Sequence, residues 1–485
     1  MVFSSHLFVF YFLPLSLALY YTVPRRGQHL LLTLLSYVFY GWANPLFVVL
    51  MFVSTVIDYV CGLVLAGQWP GWDDDQTPLL PPGGSRTTSQ KLAVTASICS
   101  NLALLGFFKY FNFGVDSYNA LVAAAGLDGA QWNTFLRITL PLGISFYTFQ
   151  SMSYSIDVYR GDARAIRNFT DFSCYVAMFP QLVAGPIIRF QDVADQLRER
   201  TYSSEKFARG TAFFAFGMAK KILLANACGK VADVAFDAGS VGFLEAWAGL
   251  FGYAFQIYFD FSAYSDMAIG LGLMFGFVFA KNFDSPYQAQ SITDFWRRWH
   301  ISLSTWLRDY LYVPLGGNRH GTARTYANLA TVMVLGGLWH GASWNFVIWG
   351  AIHGLMLAFE RAQGKESFYR RLPGPLKTLL TFIIVCFAWV FFRAETLPRA
   401  LEYCQSLLGI GSASAGADLI AGIIYQPYYL VALAAAAATT WLAPQTWDFT
   451  RRITPAKAAL VFAVLGVSLV LLTTQSYNPF IYFIF

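Results

Sequence analysis

The chain has 485 residues, of which 56% are apolar, 18% aromatic and only 12% charged, with a mean hydropathy of +0.48. Soluble domains carry about 25% charged residues, so a string of soluble domains is excluded. Disorder, a collagen repeat and a disulfide scaffold are excluded as well by 45 Phe, 27 Tyr and 14 Trp beside only 39 Gly and 6 Cys. What remains is an all-α polytopic membrane protein, in which each span needs about 20 mostly apolar residues. The formal net charge is +6, and the basic residues are scattered in pairs between apolar runs. That is the pattern of cytoplasmic loops, not of a surface for nucleic acid.

Apolar runs predict helices over 3–23, 29–43, 46–66, 92–108, 134–156, 170–187, 207–228, 243–279, 325–359, 376–394, 419–442 and 456–475. The first run has no basic residues ahead of it and no small-residue cleavage site behind it, so it reads as a retained span. Arg25-Arg26 follow it directly, which puts its C-terminal end in the cytoplasm and the N-terminus outside. The polar stretch 67–91 contains Asp73-Asp74-Asp75 and reads as a solvated linker, because three adjacent carboxylates do not share a face. Pro141-Leu142-Gly143 and Gly185-Pro186 interrupt apolar stretches. Broken helices at membrane depth are tolerated only where protein or a water-filled cavity surrounds them, so the pattern indicates a bundle built around a cavity. Residues 189–206 read as a surface-lying amphipathic helix or loop. The runs 243–279 and 325–359 exceed one ordinary span, and each reads as two shorter helices or one tilted helix. The small-residue stretches 409–418 and Ala434 to Ala438 read as loop and close helix packing. No internal repeat is visible. The six cysteines (61, 99, 174, 228, 386 and 404) form no CxxC and read as plain core residues, with no metal site expected.

No GxxxxGK[ST], HExxH, GxSxG or GxGxxG occurs. Gly316-Gly317-Asn318-Arg319 reads as a turn, or more weakly as a backbone phosphate cradle. Of the six histidines, His6, His29 and His320 lie near span ends or in a basic loop and read as interfacial. His300, His340 and His353 have aromatic or apolar neighbours, and an ionisable residue at membrane depth is a functional candidate. Residues 293–310 read as one amphipathic helix with Thr293 or Asp294 as its N-cap and with Trp296, His300, Leu303 and Leu307 on one face. An interfacial Trp/Arg belt accounts for Arg297, Arg298 and Arg308 but not for a His on the buried stripe. In Gly336-Gly337-Leu338-Trp339-His340-Gly341-Ala342-Ser343-Trp344-Asn345, the small residues beside His340 leave room for a ligand or for another backbone. His353 lies 13 residues beyond His340, which on a continuous helix is roughly 220° around the axis. His340 and His353 are therefore not expected to face the same pocket. Asp58, Asp157, Asp260 and Asp266 also sit in apolar context. Of the pair Asp260 and Asp266, six residues apart, one is expected to be structural and the other to line a cavity.

Several of these segments together resemble the membrane-bound O-acyltransferase superfamily, in particular its bacterial alginate O-acetyltransferase branch. The resemblance rests on Trp296-Arg297-Arg298-Trp299-His300-Ile301-Ser302-Leu303-Ser304, on Trp306 to Arg319, and on Gly337-Leu338-Trp339-His340-Gly341-Ala342. Pro180-Gln181-Leu182-Val183-Ala184-Gly185-Pro186-Ile187, Tyr258 to Asp266, Met1-Val2-Phe3-Ser4-Ser5 and Tyr40-Gly41-Trp42 extend it along most of the chain. It implies a single membrane-embedded acyltransferase domain over 1–485, with the core motifs within 180–360. It also implies a ring of transmembrane and short broken helices around a central tunnel. A catalytic role falls on His340 with His300 close by. The donor would be a cytoplasmic acetyl thioester, most simply acetyl-CoA. The acetyl group would end on an extracytoplasmic polysaccharide such as alginate, through a periplasmic or membrane-tethered SGNH-type acetyltransferase. The protein would be a multi-pass component of the bacterial inner membrane.

Thioester acyl transfer needs a base near neutral pH, a desolvated site and a donor to the oxyanion. His340 is the candidate base. His300, Asn345 or the Trp339 N–H are candidates to orient or stabilise, and Arg297, Arg298, Arg308 and Arg319 to hold the CoA phosphates. The chain contains no GDS-type nucleophile motif, so a partner is expected to complete polymer acetylation. A proton-coupled transporter or flippase is the rival reading, because intramembrane His and Asp residues and broken helices suit it equally. A structural subunit of a secretion complex is a third. The topology has its own test. Arg25-Arg26, the cluster Arg160, Arg164 and Arg167, and the run Arg361 to Lys377 are expected in the cytoplasm. A Cys placed at Arg25 in intact cells is expected to resist an impermeant external thiol reagent.

Overall fold

An apolar backbone in lipid must satisfy its own N–H and C=O groups, so long apolar runs become helices. The computed structural model of the chain describes residues 1–72, 77–132, 136–238, 241–364, 371–410, 417–475, 477–479 and 481. The acidic triplet Asp73-Asp74-Asp75 lies outside the described residues, as do residues 411–416 of the small-residue stretch. Among the described residues every regular element is helical. Among the described residues five helices are long and apolar enough to cross a membrane: Pro45–Ala66, Thr88–Ala124, Ser204–Asp237, Gly374–Arg393 and Pro455–Thr474. The protein is an all-α polytopic membrane protein. Its helices group into two compact units. One comprises Met1–Val2, Leu7–Tyr202 and Phe275–Phe279, the other Phe3–His6, Ser203–Met274 and Ala280–Phe485.

The first unit holds α1 (Phe8–Thr22), α2 (Arg25–Gly41), α3 (Pro45–Ala66), α4 (Thr88–Ala124), α5 (Ile144–Arg160), α6 (Phe169–Ala177) and α7 (Phe190–Arg198). Local chemistry sets the starts. Asn44 accepts from the Leu46 N–H ahead of Pro45, and Thr87 with Gln90 forms a reciprocal capping box. Two boundaries differ from the sequence expectation. Helix α4 continues past 108 although Asn112, Asp116 and Asn119 look like loop residues. Asn112 exchanges two hydrogen bonds with Ile138, Arg137 pairs with Asp116 at 2.9 Å, and Asn119 pairs with the backbone of Trp132. These side chains fasten a non-helical return segment, and this is why α5 begins only after Pro141-Leu142-Gly143, where Gly143 takes φ +75°. The predicted helix 170–187 likewise ends at Ala177, with one further turn at Phe179–Leu182. Helix α7 is the amphipathic helix within 189–206, with Phe190, Val193 and Leu197 buried.

His29, near the start of α2, is buried. Its Nε2 receives the Arg200 guanidinium at 2.5 Å, so its Nδ1–H donates to Asp171 at 2.5 Å. Asp58 is also fully buried and accepts from Ser97 at 2.6 Å and from Asn101 at 2.9 Å.

The second unit holds α8 (Ser204–Asp237), α9 (Phe243–Met274), α10 (Ile292–Arg298), α11 (Ile301–Leu307), α12 (Gly321–His340), α13 (Trp344–Ala362), α14 (Gly374–Arg393), α15 (Leu397–Leu407), α16 (Ala417–Ile424), α17 (Pro427–Leu442) and α18 (Pro455–Thr474). Within the long run 243–279, residues 243–274 form a single 32-residue helix, about 48 Å at 1.5 Å per residue. The run 325–359 is two helices, α12 and α13. Of the cysteines, four are buried, whereas Cys99 is exposed on α4 and Cys404 half-buried on α15, so the expectation of six core cysteines fails for these two. Cys99 takes an outward position on the apolar α4, which lipid accepts as readily as a core does, and Cys404 packs partly against the core.

Asp260 and Asp266 share one task instead of two. A π-turn at Lys220–Ala225 inside α8 presents consecutive lysines to α9. Lys221 pairs with Asp260 and Lys220 with Asp266, each at 2.7 Å. Asp260 also accepts the Ile481 N–H at 2.9 Å, and Lys221 donates to the Pro479 carbonyl, so the pair ties the C-terminal segment to the helices. Breaking a buried pair by removing one partner costs about 3–5 kcal/mol. Asp260→Ala is therefore expected to lower the thermal unfolding temperature in detergent substantially, and Asp260→Ala with Lys221→Met to recover most of the loss.

Candidate active site

The segment 293–310 is not one helix. Helix α10 is capped by Ser291, whose Oγ accepts from the Asp294 N–H at 3.0 Å, and not by Thr293 or Asp294. The buried Glu360 of α13 accepts from the Ile292 N–H at 2.7 Å, the Thr293 N–H at 2.9 Å and the Thr293 hydroxyl at 2.6 Å. A carboxylate at a helix N-terminus satisfies donors that have no intrahelical partner. The helix ends at Arg298, and His300 adopts the left-handed region with φ +45° and ψ +54° before α11 begins. The ring of a residue at such a break leaves the helical stripe, so the shared face expected for Trp296, His300, Leu303 and Leu307 does not form.

His340 is the last residue of α12. Gly341 is extended, Ser343 precedes α13, and the chain returns antiparallel. Each of the two small residues before His340 serves one of the two uses open to it. A Cβ on Gly337 would lie 2.2 Å from the Phe346 carbonyl oxygen, so Gly337 admits the α13 backbone. A Cβ on Gly336 would meet only Leu307, at 3.4 Å, and Gly336 lines a cavity together with His340.

That cavity measures about 540 Å³ and is walled mainly by apolar side chains of α11, α12 and α13, with Arg297, Arg308 and Thr293 also on its lining. The two candidate histidines meet beside it. Their ring centroids are 6.2 Å apart, and the Trp339 ring is 5.9 Å from His300 and 5.0 Å from His340. His340 also packs edge-on against Trp349 at 5.3 Å and Phe392 at 5.2 Å. His300 is fully buried, and its ring meets Phe261 edge-on at 4.6 Å. The site is thus a pair of buried imidazoles in an aromatic wall, the environment in which a proton acceptor and a hydrogen-bond donor act most strongly.

The other sequence candidates divide. Arg297 and Arg308 line the cavity, and Arg308 also pairs with Asp309 at 2.7 Å. Arg298 is drawn away by Asp294 at 2.9 Å and by the Asp284 carbonyl. Arg319 is exposed after the Gly316-Gly317 turn. That turn uses its own amides, with Gly316 donating to Val313 and Gly317 to Tyr312, so the phosphate-cradle reading of 316–319 is not met. Asn345 donates to the Ala394 carbonyl at 2.7 Å and tethers α13 to the end of α14. His353 does not line the cavity that His340 lines, as expected, although α12 and α13 are separate helices and not the one continuous helix on which that expectation rested. Its ring packs edge-on against Trp349 at 4.9 Å, and its Nδ1 accepts from the Trp296 N–H at 3.3 Å. Asn282, Glu360, Trp349 and Phe392 escaped sequence reasoning. For Asn282 the signal was an amide inside the run Phe275 to Phe283.

The comparisons decide the family. The sequence profile of the membrane-bound O-acyltransferase family, MBOAT, matches residues 162–395, which include both histidines and the cavity. The probable alginate O-acetylase AlgI of Pseudomonas putida is 43% identical over the full length of both chains. That of Azotobacter vinelandii is 48% identical over 85% of this chain and 79% of its own. The peptidoglycan O-acetyltransferase of Helicobacter pylori is 34% identical over 85% of this chain and 81% of its own. The chain belongs to the membrane-bound O-acyltransferase family. As a multi-pass O-acyltransferase of this kind it is a membrane O-acetyltransferase, and the transporter reading is not favoured.

In this membrane-bound O-acyltransferase the two glycines before His340 are expected to separate on substitution. Gly337→Ala drives a methyl into the Phe346 carbonyl and is expected to lower thermal stability by about 1–3 kcal/mol. Gly336→Leu fills the cavity and is expected to remove acyl transfer with a near-normal unfolding temperature. Thermal unfolding and transfer activity, measured side by side in detergent, check both.

Proposed function

We propose that the protein takes an acetyl group from a cytoplasmic thioester, acetyl-CoA, and passes it across the bacterial inner membrane for O-acetylation of an extracytoplasmic polysaccharide. The observation that carries the reading is the cavity. It joins His340, two arginines and an apolar wall in one volume of about 540 Å³, within the range of ordinary ligand sites. The apolar wall suits the pantetheine arm, and Arg297 and Arg308 suit the phosphates.

The proposed chemistry uses His340 as general base. Neutral imidazole accepts the proton of an acceptor hydroxyl while its oxygen attacks the thioester carbonyl. A carbon–oxygen bond forms, the carbon–sulfur bond breaks, and the proton passes to the departing thiolate. The Trp339 N–H, which can only donate, is the candidate for the oxyanion, since the Asn345 amide is engaged at Ala394. The relatives' names mention alginate and peptidoglycan, and of these an exopolysaccharide such as alginate is the acceptor we favour. A periplasmic or membrane-tethered SGNH-type acetyltransferase would receive the group, as this chain has no GDS-type motif of its own.

Loss of a general base costs about 10²–10⁴-fold in rate. His340→Ala is expected to abolish consumption of radiolabelled acetyl-CoA by the purified protein while its unfolding temperature stays near wild type, and His300→Ala to be severely impaired. His353→Ala removes the acceptor of the Trp296 N–H and is expected to lose stability while the folded fraction turns over. Wild-type protein that leaves the thioester intact would defeat the donor assignment. An active His340→Ala would defeat the base assignment.

A further inference from the structure

The strained turn at His300 is held from one side by a single residue. The Asn282 carbonyl accepts from the Ile301 N–H at 2.9 Å. Its side-chain Oδ1 accepts from the Ser302 N–H at 3.2 Å and from the Ser302 hydroxyl at 2.9 Å, and its Nδ2 donates to the Ser265 hydroxyl at 2.9 Å. A left-handed conformation is unfavourable for a residue with a side chain and persists only where surrounding contacts fix it. Asn282 supplies those contacts from within the buried core, at 1% exposure.

The same contacts fix a proton. A backbone N–H only donates, so the Asn282 atom facing Ser302 is the oxygen, and the amide has one orientation. That oxygen also lies 3.3 Å from His300 Nδ1. The Ser302 oxygen lies 3.4 Å from the same nitrogen, with its own proton directed to Asn282. Nδ1 thus faces two acceptors and carries the hydrogen. In the neutral ring the lone pair is then on Nε2, on the far side, and among the described residues Nε2 has no hydrogen-bond partner.

We propose that Asn282 is a positioning residue that locks His300 in the Nδ1–H tautomer, so that His300 presents a proton-accepting Nε2 beside His340 and takes no part in donating to the oxyanion. The consequence for the reaction rests on the acetyl-transfer reading above, but the tautomer does not. With the two rings 6.2 Å apart, a lone pair on His300 Nε2 makes His300 a second proton acceptor of the pair and not its donor.

The test is nitrogen NMR of the full-length protein, labelled only in histidine and reconstituted in lipid vesicles, with the His300 signals assigned by their loss in His300→Gln. Wild type is expected to show a protonated Nδ1 and a bare Nε2. Asn282→Asp, which keeps the accepting oxygen, is expected to keep that pattern, and Asn282→Leu to give a mixture. In acetyl-CoA turnover by the same preparations, Asn282→Leu is expected to lose on the order of 10²-fold in kcat, the effect of a misplaced catalytic group, with little change in KM. Asn282→Asp is expected to recover much of it. A wild-type His300 protonated on Nε2 would overturn the proposal, as would an Asn282→Leu protein with wild-type kcat. Should Asn282→Leu fail to fold, the wild-type and Asn282→Asp spectra still decide. Should wild type not turn over acetyl-CoA at all, the donor reading fails while the spectra judge the tautomer separately.

Discussion

Opening a helix among apolar side chains leaves N–H and C=O groups that no water will satisfy, and the second unit is organised around meeting that demand at two places. At the 299–300 break, the Asn282 carbonyl and side chain take up the amides of Ile301 and Ser302, and the Arg298 carbonyl accepts from Asp284. At the start of α10, Glu360 takes up two amides and a hydroxyl. An unsatisfied buried group costs about 1–3 kcal/mol, so neither break would survive without these partners. The first of these breaks turns His300 out of a helical stripe, while α12 ends separately at His340, and the two imidazoles stand beside one cavity.

Packing then decides which space stays open. Helices α12 and α13 approach closely because Gly337 faces the Phe346 carbonyl and Gly350 faces that of Met333, where a Cβ would be 2.3 Å away. One residue earlier in the chain, Gly336 contributes to a void instead. Around the histidines the wall is built from Trp339, Trp349, Phe261 and Phe392, large side chains with few rotamers. A rigid aromatic wall lowers the local dielectric and fixes ring positions, the two conditions under which preorganised groups lower a barrier.

Much of this was legible in the sequence, and the failures have a common cause. The class, most spans, the breaks at Pro141-Leu142-Gly143 and the pair of motif histidines follow from composition and pattern. Periodicity fails where side chains override it. Asn112, Asp116 and Asn119 look like a loop but continue α4, because a return segment occupies their hydrogen bonds. Residues 293–310 look like one helix but break, because the partner that stabilises the break, Asn282, is ten or more positions upstream. The continuous helix presumed from His340 to His353 fails for the same reason: it ends at Gly341, where a Cβ would fall 1.9 Å from the Phe346 ring, although His353 stays out of the cavity that His340 lines. Helical patterns report local geometry, whereas these departures are set by contacts distant in sequence.

An ionisable group in an apolar interior is a functional candidate by default, yet the second unit shows how coarse that rule is. Lys220, Lys221, Asp260, Asp266 and Glu360 all sit in apolar context, and each is matched to an opposite charge or to backbone donors, so their chemistry is consumed in holding helices and the C-terminal segment. The buried histidines differ in kind, because a neutral ring asks for far less compensation than a charge does. Even so, a bare ring nitrogen alone does not mark a site. His353 Nε2 is as buried and as unpartnered among the described residues as His300 Nε2. What separates them is the second ring nitrogen. In His353 it accepts from Trp296, so the neutral ring must carry its proton on Nε2 and has no lone pair left to offer. In His300 it faces acceptors, so the lone pair is the atom left over. Two histidines of equal burial are thereby given opposite polarity by their neighbours, and only the one that retains a proton acceptor stands beside His340.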